Sequence, residues 1–277
     1  MNKSKLNPQN NTVESTQMPG EHERMKFKQE NNRSRPAYKP LNFSSMEHSG
    51  FITPEMARCQ LSEEFRKIKR PLIKNAFGSS SSLVERGNLI MVTSAVAGEG
   101  KTYTAINLAL SMALEMDHTV LLVDADVLRP TIFKKLGIND DPGLADYLKV
   151  ASLSVADVMY RTNIDDFVLM PAGMYSAQSV ELLASARMVQ LVNELAERYS
   201  DRVIIFDAPP LLLSNEAKIL ADMVGQIVMV VEAATTSQSQ VLEALDDIRD
   251  KSVCMVLNKC SFIDSSASYY KHYNSAE

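Results

Sequence analysis

The stretch of this chain best suited to chemistry is the octapeptide Ala95-Val96-Ala97-Gly98-Glu99-Gly100-Lys101-Thr102. It matches the phosphate-binding loop pattern, with Ala95 at the first glycine position, and it lies between an apolar run and a helical one. Gly98 and Gly100 permit a tight turn that aims successive backbone N–H groups at phosphate oxygens. The helix behind them adds the positive end of its dipole. Lys101 then reaches the β and γ phosphates as a mobile charge, and the Thr102 hydroxyl suits Mg²⁺. ATP and Mg²⁺ are therefore the cofactors this loop implies, with Ala97, Gly98, Glu99, Gly100, Lys101, Thr102 and Tyr103 as nucleotide contacts.

Two further blocks supply carboxylates. The apolar run 120–123 leads into Asp124-Ala125-Asp126, and the run 203–206 leads into Asp207-Ala208-Pro209-Pro210. Aspartates at strand ends can converge on a metal at the loop, where Mg²⁺ takes a few hard oxygen ligands and keeps some of its waters. The same residues also serve as helix caps and turn formers after strands, so position alone leaves both readings open.

The elements that must carry these blocks follow from apolar periodicity. Short apolar runs at 89–95, 120–123, 167–170, 203–206, 227–231 and 253–257 alternate with helical patterns at 102–115, 180–199, 215–223 and 238–250. Such alternation predicts an α/β fold, a three-layer αβα sandwich around a mainly parallel sheet. Right-handed crossovers put the strand C-termini on one edge, where ligands bind. Upstream, residues 61–77 read as a helix that Pro71 should break or kink, and a helix is expected to begin near Thr53-Pro54. Residues 1–45 are rich in Asn, Gln, Ser, Pro and charge and read as a disordered arm; residues 46–260 make the folded domain and 261–277 a polar tail.

Composition narrows the partners. The 277 residues carry 29 basic and 34 acidic side chains, a net charge of −5, which disfavours nucleic acid as the main partner. The first fifty residues lean basic through Lys3, Lys5, Arg24, Lys26, Lys28, Arg33, Arg35 and Lys39. Cys59, Cys254 and Cys260 fit neither a metal-ligand spacing nor a disulfide framework, which suits thiols in a reducing cytoplasm. The start lacks the apolar run of a secretory signal, and no apolar stretch approaches the roughly 20 residues of a membrane span.

Together the blocks TSAVAGEGKT, VLLVDADVLRP and VIIFDAPP resemble those of the bacterial tyrosine kinases that regulate exopolysaccharide polymerisation and export, above all the exosortase-associated tyrosine autokinases. The resemblance covers roughly residues 50–260. The wider P-loop class also holds the MinD and ParA partition ATPases, but these carry a second lysine early in the loop where this chain has Val96. The segment from Glu63 to Arg70 is similar to the ExxRxxR helix that joins subunits of such kinases into a ring, with Glu63, Arg66 and Lys69 at the motif positions. Lys69 in place of arginine forfeits a planar two-pronged contact with carboxylate. The kinases' acceptor cluster is matched by Tyr269, Tyr270 and Tyr273, three of the chain's nine tyrosines. Leu257-Asn258-Lys259 is similar to a segment near adenine in related folds.

The resemblance implies a cytoplasmic ATP-dependent protein-tyrosine autokinase, recruited to the inner face of the membrane. Its expected partners are further copies of itself and a cytoplasmic segment of a membrane co-polymerase that activates it. Lys101, Asp124 and Asp126 would be catalytic, and Thr102, Asp126 and Asp207 would hold the metal. Asp124 would take or orient the tyrosine proton, although the two neighbouring aspartates could exchange roles. The alternatives are a MinD/ParA-like ATPase and a nucleotide-gated scaffold that transfers no phosphate.

Overall fold

The computed structural model describes residues 36–56, 59–79, 84–114, 118–139, 142–174, 179–198 and 201–260. The arm up to residue 35 and the tail tyrosines Tyr269, Tyr270 and Tyr273 lie outside them. An eight-stranded sheet organises the chain: β1 (Ala37–Tyr38), β2 (Leu89–Ser94), β3 (Val120–Asp124), β4 (Tyr160–Arg161), β5 (Phe167–Met170), β6 (Val203–Asp207), β7 (Gln226–Glu232) and β8 (Ser252–Asn258). The strand order is β1-β4-β5-β3-β6-β2-β7-β8. Every pairing is parallel except β4 with β5.

Nine helices flank the sheet among the described residues: α1 (Phe43–His48), α2 (Gln60–Phe77), α3 (Lys101–Ala113), α4 (Ile132–Leu136), α5 (Leu144–Lys149), α6 (Ser179–Leu183), α7 (Ala186–Arg198), α8 (Asn215–Met223) and α9 (Gln238–Asp246). Alternation along each strand divides the apolar side chains between two layers. Ile90, Val92, Leu122, Ile205 and Val228 pack under α2 and α3, with Phe65, Leu72, Ala105 and Leu108 above them. Leu89, Met91, Val123, Phe206 and Met229 face the opposite layer, with Leu144, Leu191, Leu195 and Leu220. Helix α3 lies sandwiched between the sheet and α2, so nearly all of its residues are buried. The helix that opens at the phosphate loop is thereby held on two sides.

The strand runs and the α/β architecture agree with the periodicity, while four local expectations need correction. First, the folded region begins at residue 36 rather than 46. Strand β1 pairs with β4, Leu41 is buried, and the Asn163 side chain both accepts from the Leu41 N–H at 2.8 Å and donates to its carbonyl at 3.1 Å. Asn42 caps α1. Second, α2 runs unbroken through Pro71. The missing N–H strands the Lys67 carbonyl, but both residues are exposed, so water serves it. Third, the single helix expected over 180–199 is two, because the Ser185 hydroxyl caps the Met188 N–H at 3.2 Å and starts α7 afresh. Fourth, only a short 3₁₀ turn, Pro54–Met56, forms where a helix was expected near Thr53.

Because Pro71 sits on an exposed helix face, Pro71→Ala should restore one helical hydrogen bond at no packing cost. The expected gain is about 1–3 kcal/mol, read as a higher urea midpoint with an unchanged slope.

Candidate active site

Three neighbouring strands build the site. β2 feeds the phosphate loop, β6 lies beside it, and β3 lies beside β6. The register pairs Asp124 with Asp207 across β3 and β6. Backbone bonds extend the ladder past the strand ends, with Ala125 N–H donating to the Asp207 carbonyl at 2.9 Å and Ala208 N–H to the Val92 carbonyl at 3.0 Å. The carboxylates therefore stand next to each other and next to the loop because sheet register puts them there.

The loop is fastened from behind. Gly98 and Gly100 have φ of 93° and 98°, a region costly for any side chain. At Gly100 a β-carbon would also collide with the Asn258 side-chain nitrogen. Asn258 donates to the Glu99 carbonyl at 2.8 Å, and the Lys259 ammonium donates to the Gly98 carbonyl at 2.8 Å while pairing with Glu232 at 2.8 Å. The Glu99 side chain is buried under its own loop. It accepts from Val96 N–H at 2.8 Å, from Glu232 N–H at 3.1 Å and from the Thr236 hydroxyl. With the carbonyls of Gly98 and Glu99 drawn backwards, the loop's N–H groups are left to face a ligand.

Lys101 is the first residue of α3, and its ammonium pairs with Asp126 at 2.7 Å and lies 3.9 Å from Asp207. Burial works against the ammonium, but Asp207 and Asp126 outweigh it and hold the lysine above its ordinary range. Asp124 is 1% exposed; one oxygen accepts from the Thr131 and Ile132 N–H groups, each at 3.1 Å, where α4 begins. Burial, and then the negative charge of Asp207, push Asp124 well above the usual carboxylate range. Burial likewise raises Asp207 to about 6, against the pull of Lys101. The second oxygen of Asp124 and both oxygens of Asp207 are buried without a hydrogen-bond partner.

Those orphaned oxygens, beside the Thr102 hydroxyl to which Thr131 donates at 3.3 Å, fit a hard divalent cation. No cluster of three or more His, Cys, Asp or Glu side chains able to hold a metal occurs among the described residues. Mg²⁺ completes its shell with phosphate and water rather than with an all-protein cage.

A cavity of about 420 Å³ opens over the loop, lined by Ala97, Gly98, Gly100, Lys101, Thr102 and Tyr103 on one side. Asp126, Leu128, Arg129, Thr131 and Lys135 form another wall, and Pro209, Pro210, Leu213 and Ser214 a third. Asp126 lines the cavity, whereas Asp124 is buried and does not. Tyr103 lines the cavity with its hydroxyl already given to the Gly50 carbonyl at 2.9 Å. Asn258 stands behind the loop rather than in this cavity. Arg129 and Leu128 were legible as part of the aspartate block, but Thr131, Lys135 and Leu213 carry no motif and emerge only from the fold. On α2, Glu63 and Arg66 are ion-paired and partly exposed. Lys69 is not available at the surface: it is 3% exposed and donates to the Ser111 carbonyl of α3, because its place on the helix faces the core.

Residues 87–258 match the AAA domain family model. The chain belongs to that family. It is 28% identical over 217 residues to the putative tyrosine-protein kinase CapB of Staphylococcus aureus, spanning 77% of this chain and 90% of CapB. It is 31% identical over 160 residues to the tyrosine-protein kinase wzc of Salmonella typhi, spanning 58% of this chain and 22% of that one. Among solved structures, the chimerical protein CapA2B2 superposes with a TM-score of 0.66 at 26% identity, over 85% of this chain and 99% of the other. These similarities bear out the membership in the bacterial tyrosine kinases read from the three motif blocks, and with it the P-loop α/β fold.

Two predictions come from this geometry. Glu99→Ala, which frees the loop from β7 without touching its glycines, should weaken ATP binding at least tenfold, measured by titration calorimetry. The second concerns pH in nucleotide-free protein kept in EDTA. Asp207 holds its proton up to about pH 6 when folded and only to about 3.8 when unfolded. The folded state therefore binds more protons in that window, and stability falls as pH rises through it, by on the order of 3 kcal/mol. Asp207→Asn should flatten this slope and raise the melting temperature at pH 7 while abolishing stabilisation by Mg-ATP.

Proposed function

We propose that this chain is an ATP-dependent protein-tyrosine autokinase that modifies its C-terminal Tyr269, Tyr270 and Tyr273 and acts in exopolysaccharide polymerisation and export. The observation that carries this reading is Asp126. It forms part of the cavity wall and is paired with the loop lysine at 2.7 Å, so the carboxylate that can meet an acceptor hydroxyl is tied to the cation that meets ATP. The tyrosine kinases that the chain resembles along most of their length supply the acceptor class.

In the proposed reaction the phenol oxygen bonds to the γ-phosphorus as the bond from that phosphorus to the β–γ bridging oxygen breaks and ADP departs. The phenol proton passes to the Asp126 carboxylate. Lys101 turns from Asp126 to the phosphates when ATP enters, which frees Asp126 as the base. Backbone N–H groups of residues 97–102 orient the triphosphate. Mg²⁺, where bound, supplies divalent charge against the phosphate oxygens, and Thr102, Asp207 and Asp124 are the residues suited to hold it. The burial of Asp124 favours this exchange of the roles first assigned to Asp124 and Asp126.

The ring-forming helix is retained in the proposal with altered contacts: Glu63 and Arg66 are presented, and the exposed Arg70 offers the cation that the buried Lys69 does not. Among the described residues no helix is long and apolar enough to cross a membrane. We assign recruitment to the inner membrane face, and activation, to a cytoplasmic segment of a membrane co-polymerase partner. The wzc relative, matched over 22% of its length, is consistent with a kinase that works alongside further protein.

The test is mass spectrometry of the purified protein after incubation with Mg-ATP, beside Lys101→Met and Asp126→Asn. Phosphotyrosine is expected in tail peptides of the wild type and absent from Lys101→Met. Asp126→Asn should keep ATP affinity and lose about 10²–10⁴-fold in transfer rate. Free phosphate without phosphotyrosine would replace the kinase with an ATPase, and phosphotyrosine in all three proteins would assign the modification to another enzyme.

A further inference from the structure

We infer that the apolar part of the cavity lining is an acceptor slot in which Leu128 and Leu213 grip the ring of the incoming tyrosine, selecting it over serine and threonine by depth. The inference rests on the kinase reading and adds to it the residues that determine the acceptor.

The cavity lining joins two chemically unlike sets of groups. Around the loop it offers backbone N–H groups, Lys101 and Thr102, with Arg129 and Lys135 nearby. From the turns that follow β3 and β6 it offers Leu128, Pro209, Pro210 and Leu213. Leu128 is 47% exposed and Leu213 66%, so two large apolar side chains flank one opening. A single exposed leucine is unremarked in a folded protein, but a pair that lines a cavity beside a carboxylate is a place to put an apolar ligand.

Both leucines ride on fixed supports. Leu128 lies two residues after Asp126, in a turn where Arg129 N–H donates to the Asp126 carbonyl and side chain, each at 3.1 Å. Leu213 closes the 3₁₀ turn Leu211–Leu213 that follows Asp207-Ala-Pro-Pro. That turn is tied to the loop strand by Leu212 N–H to the Ala95 carbonyl at 3.2 Å, and by the Thr93 hydroxyl to the Pro209 carbonyl at 2.8 Å. A small crevice is lined by Asp126, Leu128, Pro209 and Ser214 together, so residues of the two turns come close to one another and to Asp126.

Topology decides which ligand the apolar part receives. The adenine of ATP also wants an apolar platform. A separate cavity lined by Tyr103, Leu257 and Asn258 offers such a platform at the end of β8, two strands to one side of the loop strand. Leu128 and Leu213 follow β3 and β6, on the other side. A triphosphate lying along the loop with its base toward β8 points its γ-phosphate toward Asp126 and Asp207, and leaves the leucines to the acceptor. The Asp126 side chain is only 7% exposed, recessed below this lip. A tyrosine hydroxyl stands a whole ring farther from its backbone than a serine hydroxyl. From a peptide resting on the lip, the phenol reaches the carboxylate and the shorter side chains do not.

The test uses the full chain loaded with Mg-ADP and a fluorescently labelled peptide carrying one tyrosine, with a matched peptide carrying alanine there. Binding reads the slot without turnover. Wild type should bind the tyrosine peptide about tenfold tighter than the alanine peptide, in line with burial of a ring. Leu128→Ser and Leu213→Ser should each erase most of that preference with Mg-ADP affinity and melting temperature unchanged, and Leu→Met at either position should retain it. Equal affinity for both peptides in the wild type overturns the slot. So does loss of nucleotide affinity in the serine variants, which would make the leucines the platform of the base. The kinase reading stands or falls separately, on phosphotyrosine in the tail.

Discussion

Negative charge is concentrated at one point of the sheet edge. Asp124 and Asp207 occupy paired positions on adjoining strands, both buried, with Asp126 close by and the Lys101 ammonium reaching Asp126 and Asp207. Placing carboxylates out of water and beside one another is unfavourable unless charge or hydrogen bonds compensate. The protein meets only part of that need: α4 begins on one oxygen of Asp124, while three other carboxylate oxygens go without a donor. The rest of the architecture follows from keeping this arrangement intact. Apolar strands on both sides fix its register, and α3, clamped between sheet and α2, fixes the lysine. An electrostatically incomplete site of this kind gains most when a cation and a polyphosphate arrive together.

The phosphate loop shows the complementary strategy. Its two positive-φ glycines make the shape possible, but groups behind the loop make it persist. Glu99 anchors it to the end of β7, and Asn258 and Lys259 anchor it to the end of β8. Each of these draws on a carbonyl or satisfies an N–H that points away from the ligand. The free N–H groups are oriented before a phosphate is present, which lowers the reorganisation that binding would otherwise require. The same contacts tie the loop to the strand from which the chain runs on toward its terminal tyrosines.

The parts of this design that were legible in the sequence are those set by local rules. Gly98, Gly100 and Lys101 announce a phosphate turn because few other uses demand that spacing, and the strand runs stand out because both faces of the sheet are covered. What stayed hidden depends on tertiary contact. Residues 36–45 look too polar to order, yet Leu41 and Met46 find buried seats and Asn163 clasps the backbone between β1 and α1. Pro71 reads as a helix breaker until its exposed position supplies water to the stranded carbonyl. Lys69 reads as a surface cation, but the helix turns it onto the Ser111 carbonyl. Glu99 reads as a loop contact for the nucleotide, while burial gives its side chain a structural task behind that loop.

The division of labour between Asp124 and Asp126 shows how two like residues two positions apart become unlike. Residues two apart on a strand share a face, so it is the end of the strand at Asp124 and the turn beyond it that send the two side chains to different surroundings. Asp124, still in register with Asp207, is buried and spends one oxygen on the start of α4. Asp126, beyond the last ladder pair, turns into the cavity and takes Lys101 as its partner. A carboxylate fixed by backbone donors and shielded from water suits a metal, whose ligands must not move. A carboxylate with one oxygen on the Arg129 N–H and the other held by a mobile lysine suits a proton acceptor, because the incoming phosphates compete for that lysine. One strand end thus provides both a fixed charge and a releasable one, and ATP itself determines when the second becomes available.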